Sequence, residues 1–226
     1  MDRRSFIRTS LITTAAAAGG ALLNRAGLRP SRALAAERKE SGMNILVLTG
    51  SPRMHGNSNT LADAFIQGAE ASGHRVARFD AAHKNVHPCT ACNSCGMNGP
   101  CVFDDDFSFV RKHIVDADLV AFVTPMYYFG ISSQLKTVID RFYAINGSIH
   151  VRKKAVLLMT YANDSKRDEA PMLTHYDALL SYLGWEDAGR IVVPGVWLEG
   201  DIKRTPFLEH AYRLGRGLRK EGDPVL

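Results

Sequence analysis

The strongest constraint on the fold is a junction: the apolar run Ile45-Leu46-Val47-Leu48 leads directly into Thr49-Gly50-Ser51-Pro52-Arg53-Met54-His55-Gly56-Asn57-Ser58-Asn59-Thr60. An unbroken apolar run of this length suits a strand buried on both faces, as at the centre of a parallel sheet. Leu61, Ala64, Phe65, Gly68 and Ala69 then recur at helical spacing, so the stretch between them reads as a strand-to-helix turn. Such a turn attracts anions, because the first N–H groups of the helix are unpaired and its dipole is positive there. Gly50 and Gly56 let the backbone bend and approach a ligand. Ser51, Asn57, Ser58, Asn59 and Thr60 supply donors, and Arg53 supplies a charge. An ordinary connection also uses Gly, Ser and Asn. The crowding of donors around an arginine with no core role favours a phosphate site.

The rest of the body alternates in the same way. Residues 74–80 alternate as an edge strand would, and Asp104, Asp105 and Asp106 open a helix whose N–H groups one of them can cap. Leu119 to Thr124 reads as a buried strand ended by Pro125, and Ser132 or Ser133 caps the helix that follows through Leu135, Val138, Ile139 and Phe142. Further strands are expected at 155–160 and 190–193, and further helices at 169–183, stopped by Gly184, and at 206–220. Five strands alternating with helices define a doubly wound three-layer α/β/α sheet over residues 44–226. Ligands in such sheets sit beyond the carboxyl ends of the strands. The loops 49–60, 125–132 and 160–166 are therefore expected to converge, with Thr160, Tyr161, Ala162 and Asn163 placed to approach a ligand.

The formal charge of +5 is a property of the leading segment. Residues 1–35 hold six arginines against Asp2, leaving 22 basic and 22 acidic residues in the remainder. A nucleic-acid role for the body is therefore excluded. The leader combines Arg3-Arg4-Ser5-Phe6-Ile7-Arg8, a mild apolar run from Leu11 to Leu23, and Ala33-Leu34-Ala35. Its apolar run falls short of the ~20 residues that cross a bilayer, so it reads as a signal and not a stable anchor. Paired arginines followed by Phe and an apolar residue resemble the twin-arginine export signal of bacteria. That resemblance implies delivery of a folded protein, cofactor already bound, to the periplasm or cell envelope, with residues 36–43 as a linker.

All four cysteines fall within Cys89-x2-Cys92-x2-Cys95-x5-Cys101. Packing needs do not concentrate cysteines in this way. A [4Fe–4S] cluster, a zinc site and two disulfides each account for the spacing, and the C-x2-C-x2-C run favours iron–sulfur over zinc. No phosphate-loop lysine, zinc-protease or nucleophile-elbow pattern is present, and His55, His150, His175 and His210 have no carboxylate or serine partner in sequence. No catalytic side chain is assigned.

Over residues 44–200 the chain resembles the flavodoxin-like FMN reductase family. The resemblance rests on Gly50-Ser51-Pro52-Arg53 with Gly56-Asn57-Ser58-Asn59-Thr60, and on Thr124-Pro125-Met126-Tyr127-Tyr128-Phe129-Gly130 followed by Gln134-Leu135-Lys136 and Asp140-Arg141. It implies that Ser51, Arg53, Asn57, Ser58, Asn59 and Thr60 hold the FMN phosphate. It further implies that Pro125, Met126, Tyr127, Tyr128, Phe129 and Gly130 line the isoalloxazine, with Tyr128 the expected ring contact ahead of Tyr127. The cysteine stretch resembles that of the iron–sulfur flavoproteins, a branch of the same family, which implies Cys89, Cys92, Cys95 and Cys101 as cluster ligands. The expected function is an FMN-dependent oxidoreductase using NAD(P)H or another reduced donor, assembled as a homodimer or homotetramer. A flavodoxin-like electron carrier docking a redox protein is the alternative. An exported protein meets little free NAD(P)H, so the donor stays open between a nicotinamide, a quinol and another redox protein.

Overall fold

The computed structural model describes residues 42–220. The expected export signal, residues 1–35, and the linker through residue 41 lie outside the described residues. In chain order the elements are β1 (Asn44–Thr49), α1 (Asn57–Ala71), β2 (Arg75–Asp80), α2 (Phe107–Asp116), β3 (Leu119–Tyr127), β4 (Gly130–Ile131), α3 (Ser133–Asp140), α4 (Asn146–Ile149), β5 (Lys154–Thr160), α5 (Ala170–Leu183), β6 (Glu186–Val193) and α6 (Phe207–Gly217).

Five strands form one parallel sheet in the order β2-β1-β3-β5-β6, and the short β4 pairs antiparallel with the end of β3. Successive side chains of a strand point to opposite faces, and both faces are covered. Ile45, Val47, Leu119, Ala121, Val123, Val156 and Leu158 pack with Leu61, Phe65, Ala69 and Ala211 of α1 and α6. Leu46, Leu48, Val120, Phe122, Leu157 and Met159 pack with Val110, Ile114, Leu135, Val138, Tyr176 and Leu180 of α2, α3 and α5. This two-sided burial is why the central strands read as unbroken apolar runs.

Several expected features take their expected form. Ser132, fully buried, caps α3 by accepting from the Leu135 N–H, and Gly184 ends α5 in the left-handed conformation at φ +69°. Asp105 accepts from the N–H of Phe107 at the start of α2.

Three expectations need correction. Pro125 does not end its strand: β3 continues through it to Tyr127, with Pro125 opposite Thr160 on β5. Pairing with β1 has already stopped at Val123, so that side of the ladder is open and a residue without an N–H is tolerated there. The last strand starts at Glu186, not Arg190. Its start, Glu186 and Asp187, is charged and exposed on the sheet edge, and Arg190 further along pairs with Asp177 and Asp187, so no apolar run announced it. Met43, expected in the linker, is a core residue at 1% exposure.

Candidate functional site

The order of strands reverses between β1 and β3, and the loops beyond their carboxyl ends frame a cleft of about 490 Å³. That is within the ~300–1,000 Å³ range of small-ligand and cofactor sites. The turn after β1 contributes Ser51, Arg53, Gly56, Asn57 and Ser58; the end of β3 and its hairpin contribute Pro125 to Phe129; the loop after β5 contributes residues 160–163. These are the three loops expected to converge. Val196 and Trp197, from the loop after β6, complete the wall.

The turn is built to leave α1's positive end open. Gly56 precedes the helix, no side chain caps it, and no acidic residue occupies its first turn. A Cβ at Gly56 would lie 2.8 Å from the Arg53 Cβ and 3.3 Å from the Ser51 Oγ, so only glycine keeps this cradle closed. The Gly56 N–H donates to the Arg53 carbonyl at 3.0 Å. The Ser58 hydroxyl meets the Thr160 hydroxyl at 2.6 Å in the buried floor, joining the β1 and β5 loops. Ser132 Oγ donates to the Gly50 carbonyl at 2.9 Å and ties the turn to α3. These contacts preorganise a turn of helix N–H groups, hydroxyls and one guanidinium, a donor set whose chemistry suits an anion.

The structure divides the expected phosphate residues into two sets. Ser51, Arg53, Asn57 and Ser58 line the cleft. Asn59 lies behind it, its Nδ2 donating to the carbonyls of Arg53 (2.9 Å) and Met54 (3.3 Å), and the Thr60 hydroxyl donates to the Gly56 carbonyl at 3.1 Å. Both shape the turn from within. Gly130 pairs with Tyr127 in the hairpin and is not part of the lining.

The hairpin supplies flat apolar surface. Its tip, Tyr128 and Phe129, adopts positive φ of 46° and 63°, a region that costs an L-residue roughly 1–2 kcal/mol. Two-residue hairpin tips of this kind normally carry Asn-Gly. Tyr128 is completely exposed, at 101%, so no protein neighbour covers it. Strained aromatics held in an exposed turn at a cleft point to a ligand-binding role. Replacing Tyr128-Phe129 by Asn-Gly is expected to raise stability by about 1 kcal/mol. It would appear as a higher urea midpoint at unchanged slope, accompanied by weaker FMN retention.

Tyr161 sits under the cleft, 3% exposed, with its hydroxyl donating to Glu169 Oε2 at 3.3 Å. Burial, reinforced by Glu169, pushes its phenol up to about 12. It therefore stays a neutral donor throughout the physiological range and is no general base.

The cysteine stretch forms a second, small cavity against residues 141–144. Cys89, Cys92, Cys95 and Cys101 all line it, together with Phe103, Arg141 and Tyr143, and all four are free thiols. Positive φ at Ala91, Asn93, Gly96 and Met97 folds the loop back on itself. The hydroxyls of Tyr143 and Ser148 donate to Asn93 and Asn98, and Arg111 donates to the Gly99 carbonyl. Hydrogen bonds from Ser94, backbone and hydroxyl, hold the Cys92 thiol below its ordinary range. Among the described residues no group of three or more Cys, His, Asp or Glu is gathered in metal-binding geometry. The donor chemistry fits a soft metal centre, and the four sulfur-bearing residues share one cavity. His87 stacks on Phe103 at 4.9 Å.

A parallel sheet in this order, with an anion turn and an apolar slot at its switch point, defines a flavodoxin-like mononucleotide-binding protein. The chain belongs to the NADPH-dependent FMN reductase family, which it matches over residues 43–193. It is an FMN-dependent oxidoreductase, as the composition of the cleft from donors and aromatics, without an acid–base pair, accords with. An iron-sulfur flavoprotein of Archaeoglobus fulgidus is 34% identical over 171 residues, covering 74% of this chain and 77% of that one. Another, of Methanocaldococcus jannaschii, is 30% identical over 112 residues, covering 50% and 58%. Among solved structures, an NAD(P)H:quinone oxidoreductase from Methanothermobacter marburgensis superposes with a TM-score of 0.66 at 20% identity, covering 81% of this chain and all of that one.

The loop after β6 was not anticipated as part of the site. The signal was present, since Trp197 follows a strand end and is flanked by Gly195 and Gly200, but nothing in its spacing separates it from an ordinary surface loop.

Proposed function

We propose that the protein passes electrons from a reduced donor through FMN to a small-molecule or protein acceptor, with an iron–sulfur cluster held by Cys89, Cys92, Cys95 and Cys101 as a relay. The observation that carries this reading is the convergence of an uncapped helix terminus, Ser51, Ser58 and Arg53 with an aromatic slot in one cleft. FMN supplies hydride acceptance and electron transfer when bound. The chain's own residues bind, orient and shield: Ser51, Arg53, Asn57 and Ser58 meet the phosphate, and Pro125 to Phe129 flank the ring. The cluster is supported by the shared cavity of the four cysteines and by the names of the iron-sulfur flavoprotein relatives. The paired arginines of the leader support export by the twin-arginine route. The donor is then a quinol or redox protein in the periplasm, or NAD(P)H if the protein acts before export. The exposed Tyr127, Tyr128 and Phe129 at the cleft mouth suit assembly as a homodimer or homotetramer.

The test is anaerobic purification of the full chain, with FMN, iron, sulfide and zinc counted, followed by titration with NADPH. The expected result is one FMN per chain, iron and sulfide in equal amounts, and bleaching of the flavin band. A colourless protein that fails to take up FMN overturns the reading as a whole. Zinc in place of iron, or titration of the cysteines as disulfides, overturns the relay alone, and an unbleached flavin removes the nicotinamide as donor.

Arg53→Gln is expected to weaken FMN binding by about 10–100-fold. Hydrogen bonds to charged groups contribute ~1.5–3 kcal/mol, and each 1.4 kcal/mol is tenfold in affinity. Fluorescence titration of the flavin-free protein measures it, and a change under threefold would mean that the guanidinium does not meet the phosphate.

A further inference from the structure

Trp197 is an anomaly of packing. It lines the cleft, yet 69% of it is exposed, and Leu198 beside it is 64% exposed. The chain's other tryptophan, Trp185, behaves as a core residue: it is buried and donates its indole N–H to the Ile149 carbonyl.

The backbone that carries Trp197 is, by contrast, fixed at every turn. The N–H groups of Trp197 and Leu198 both donate to Asp201 Oδ2, at 2.9 and 2.6 Å. These bonds, that of Leu198 foremost, hold the Asp201 carboxyl below the usual range, so it stays an ionised acceptor. Before the indole, the Gly195 N–H donates to the Asn163 carbonyl and the Val196 N–H to the Tyr161 carbonyl. After it, Ile202 is fully buried in the core. Gly195 and Gly200, at φ +69° and +86°, make the two bends.

The remaining anchors come from the phosphate turn itself. Arg53 Nη1 donates to the Trp197 carbonyl at 3.2 Å. Asn57 Nδ2 donates to the Leu198 carbonyl at 2.9 Å, and Asn57 Oδ1 accepts from the Ile202 N–H at 3.2 Å. Two of the four residues that face the phosphate position therefore hold the loop that presents the indole. A clamped main chain with a free aromatic side chain is what a stacking platform requires, since the ordering entropy of the backbone is already spent before the ligand arrives.

We propose that Trp197 is a ring-binding residue of this flavoprotein, forming a wall of the slot separate from the Tyr127–Phe129 hairpin and stacking on the electron-poor isoalloxazine. Because Arg53 and Asn57 serve both the phosphate and the Trp197 loop, phosphate binding and indole stacking reinforce each other. The inference rests on FMN occupying the cleft and goes beyond it by assigning a loop outside the two motifs that carry the family resemblance.

The experiment uses the full chain stripped of flavin and titrated with FMN and, separately, with riboflavin, which keeps the ring and lacks the phosphate. Trp197→Ala is expected to weaken FMN binding by about tenfold or more, as loss of one ring–aromatic stack does. Trp197→Phe, which keeps a flat face, is expected to stay within about threefold. The emission of bound FMN, quenched in the wild type by the adjacent indole, is expected to rise in Trp197→Ala, a readout that a merely structural role would not move. The preference for FMN over riboflavin is expected to fall in Trp197→Ala, because the phosphate no longer has a stack to reinforce. If wild type binds FMN tightly while Trp197→Ala matches it in affinity and emission, the inference fails and the cofactor reading stands. Failure of the wild type to bind FMN strikes the cofactor reading instead. A change in oligomeric state with unchanged affinity would assign Trp197 to an interface and overturn the proposal, and an unchanged riboflavin ratio would overturn the coupling.

Discussion

Arg141→Met is expected to lower folding stability by about 3–5 kcal/mol, the cost of leaving one partner of a buried ion pair uncompensated. The side chains of Arg141 and Asp105 are each 1% exposed, and the guanidinium meets both carboxylate oxygens, at 2.8 and 3.2 Å. The pair closes the cysteine loop at its two ends. Arg141 also donates to the His87 carbonyl, Asp105 accepts from the His87 and Phe107 N–H groups, and the guanidinium lies over the rings of Phe103 and Phe107. Substitution of the arginine therefore strands a buried carboxylate and unties the segment that carries all four cysteines.

Urea unfolding at neutral pH measures the loss. The double variant Arg141→Met with Asp105→Asn is expected to recover a large part of it, because the penalty comes from the unpaired charge more than from the missing attraction. A loss below 1 kcal/mol in the single variant would show that water reaches the site. The pair also sets a pH dependence. Burial alone would raise the Asp105 carboxyl, but the Arg141 hydrogen bond and the His87 and Phe107 N–H groups outweigh it and hold it below the usual range. A depressed folded-state value means the contribution is complete above the unfolded value of about 3.9 and is lost as pH falls below it. The stability gap between wild type and Arg141→Met is therefore expected to narrow as pH falls below that value, because protonation removes the pair's contribution in wild type and relieves the unpaired carboxylate in the variant.

Gly68→Ala is the second large effect, and its sign runs against helix propensity. Gly68 lies inside α1, where Ala is favoured over Gly by about 1 kcal/mol in an exposed helix. Here α1 crosses α6 so closely that a Cβ at Gly68 would lie 2.0 Å from the Tyr212 carbonyl oxygen, and one at Gly215 would lie 2.2 Å from the Phe65 carbonyl oxygen. These are backbone atoms, so no rotamer change relieves the overlap and the helices must separate by about an ångström or more. Overpacking costs ~1–3 kcal/mol where side chains can adjust, so a rigid contact stands at or above the top of that range. A net loss of about 3 kcal/mol is expected for either substitution, with weaker FMN binding because α1 presents the phosphate turn at its other end. Gly217→Ala, with nothing within 4 Å of its Cβ, is the control and should be neutral or slightly stabilising. Equal stability of Gly68→Ala and wild type would mean that the crossing is looser than the structure has it.

What could be read from residues in order is what depends on neighbours in order. The apolar runs at 45–48, 119–124 and 155–160 marked the central strands because burial on both faces demands an unbroken run. The turn at 49–60, the serine cap at 132 and the stop at Gly184 use local backbone chemistry, and the cysteines announced themselves by spacing alone.

Other features were decided only by the folded chain, and in each case the partner is distant in sequence. Asp105 read as one of three acidic residues at a helix start, and only packing selects it as the partner of Arg141, 36 residues away. Pro125 read as a strand end because its missing N–H is a local property, whereas the open ladder that tolerates it depends on where β1 stops. The polar half of β6 has no run to recognise, since an edge strand needs apolar residues only where a layer covers it. Trp197 enters the site because Arg53 and Asn57, 144 and 140 residues earlier, hold its loop against the cleft. Periodicity and turn chemistry record what each segment buries or bends. Which segments meet is set by closing the sheet, and that information belongs to pairs of residues that no local pattern contains.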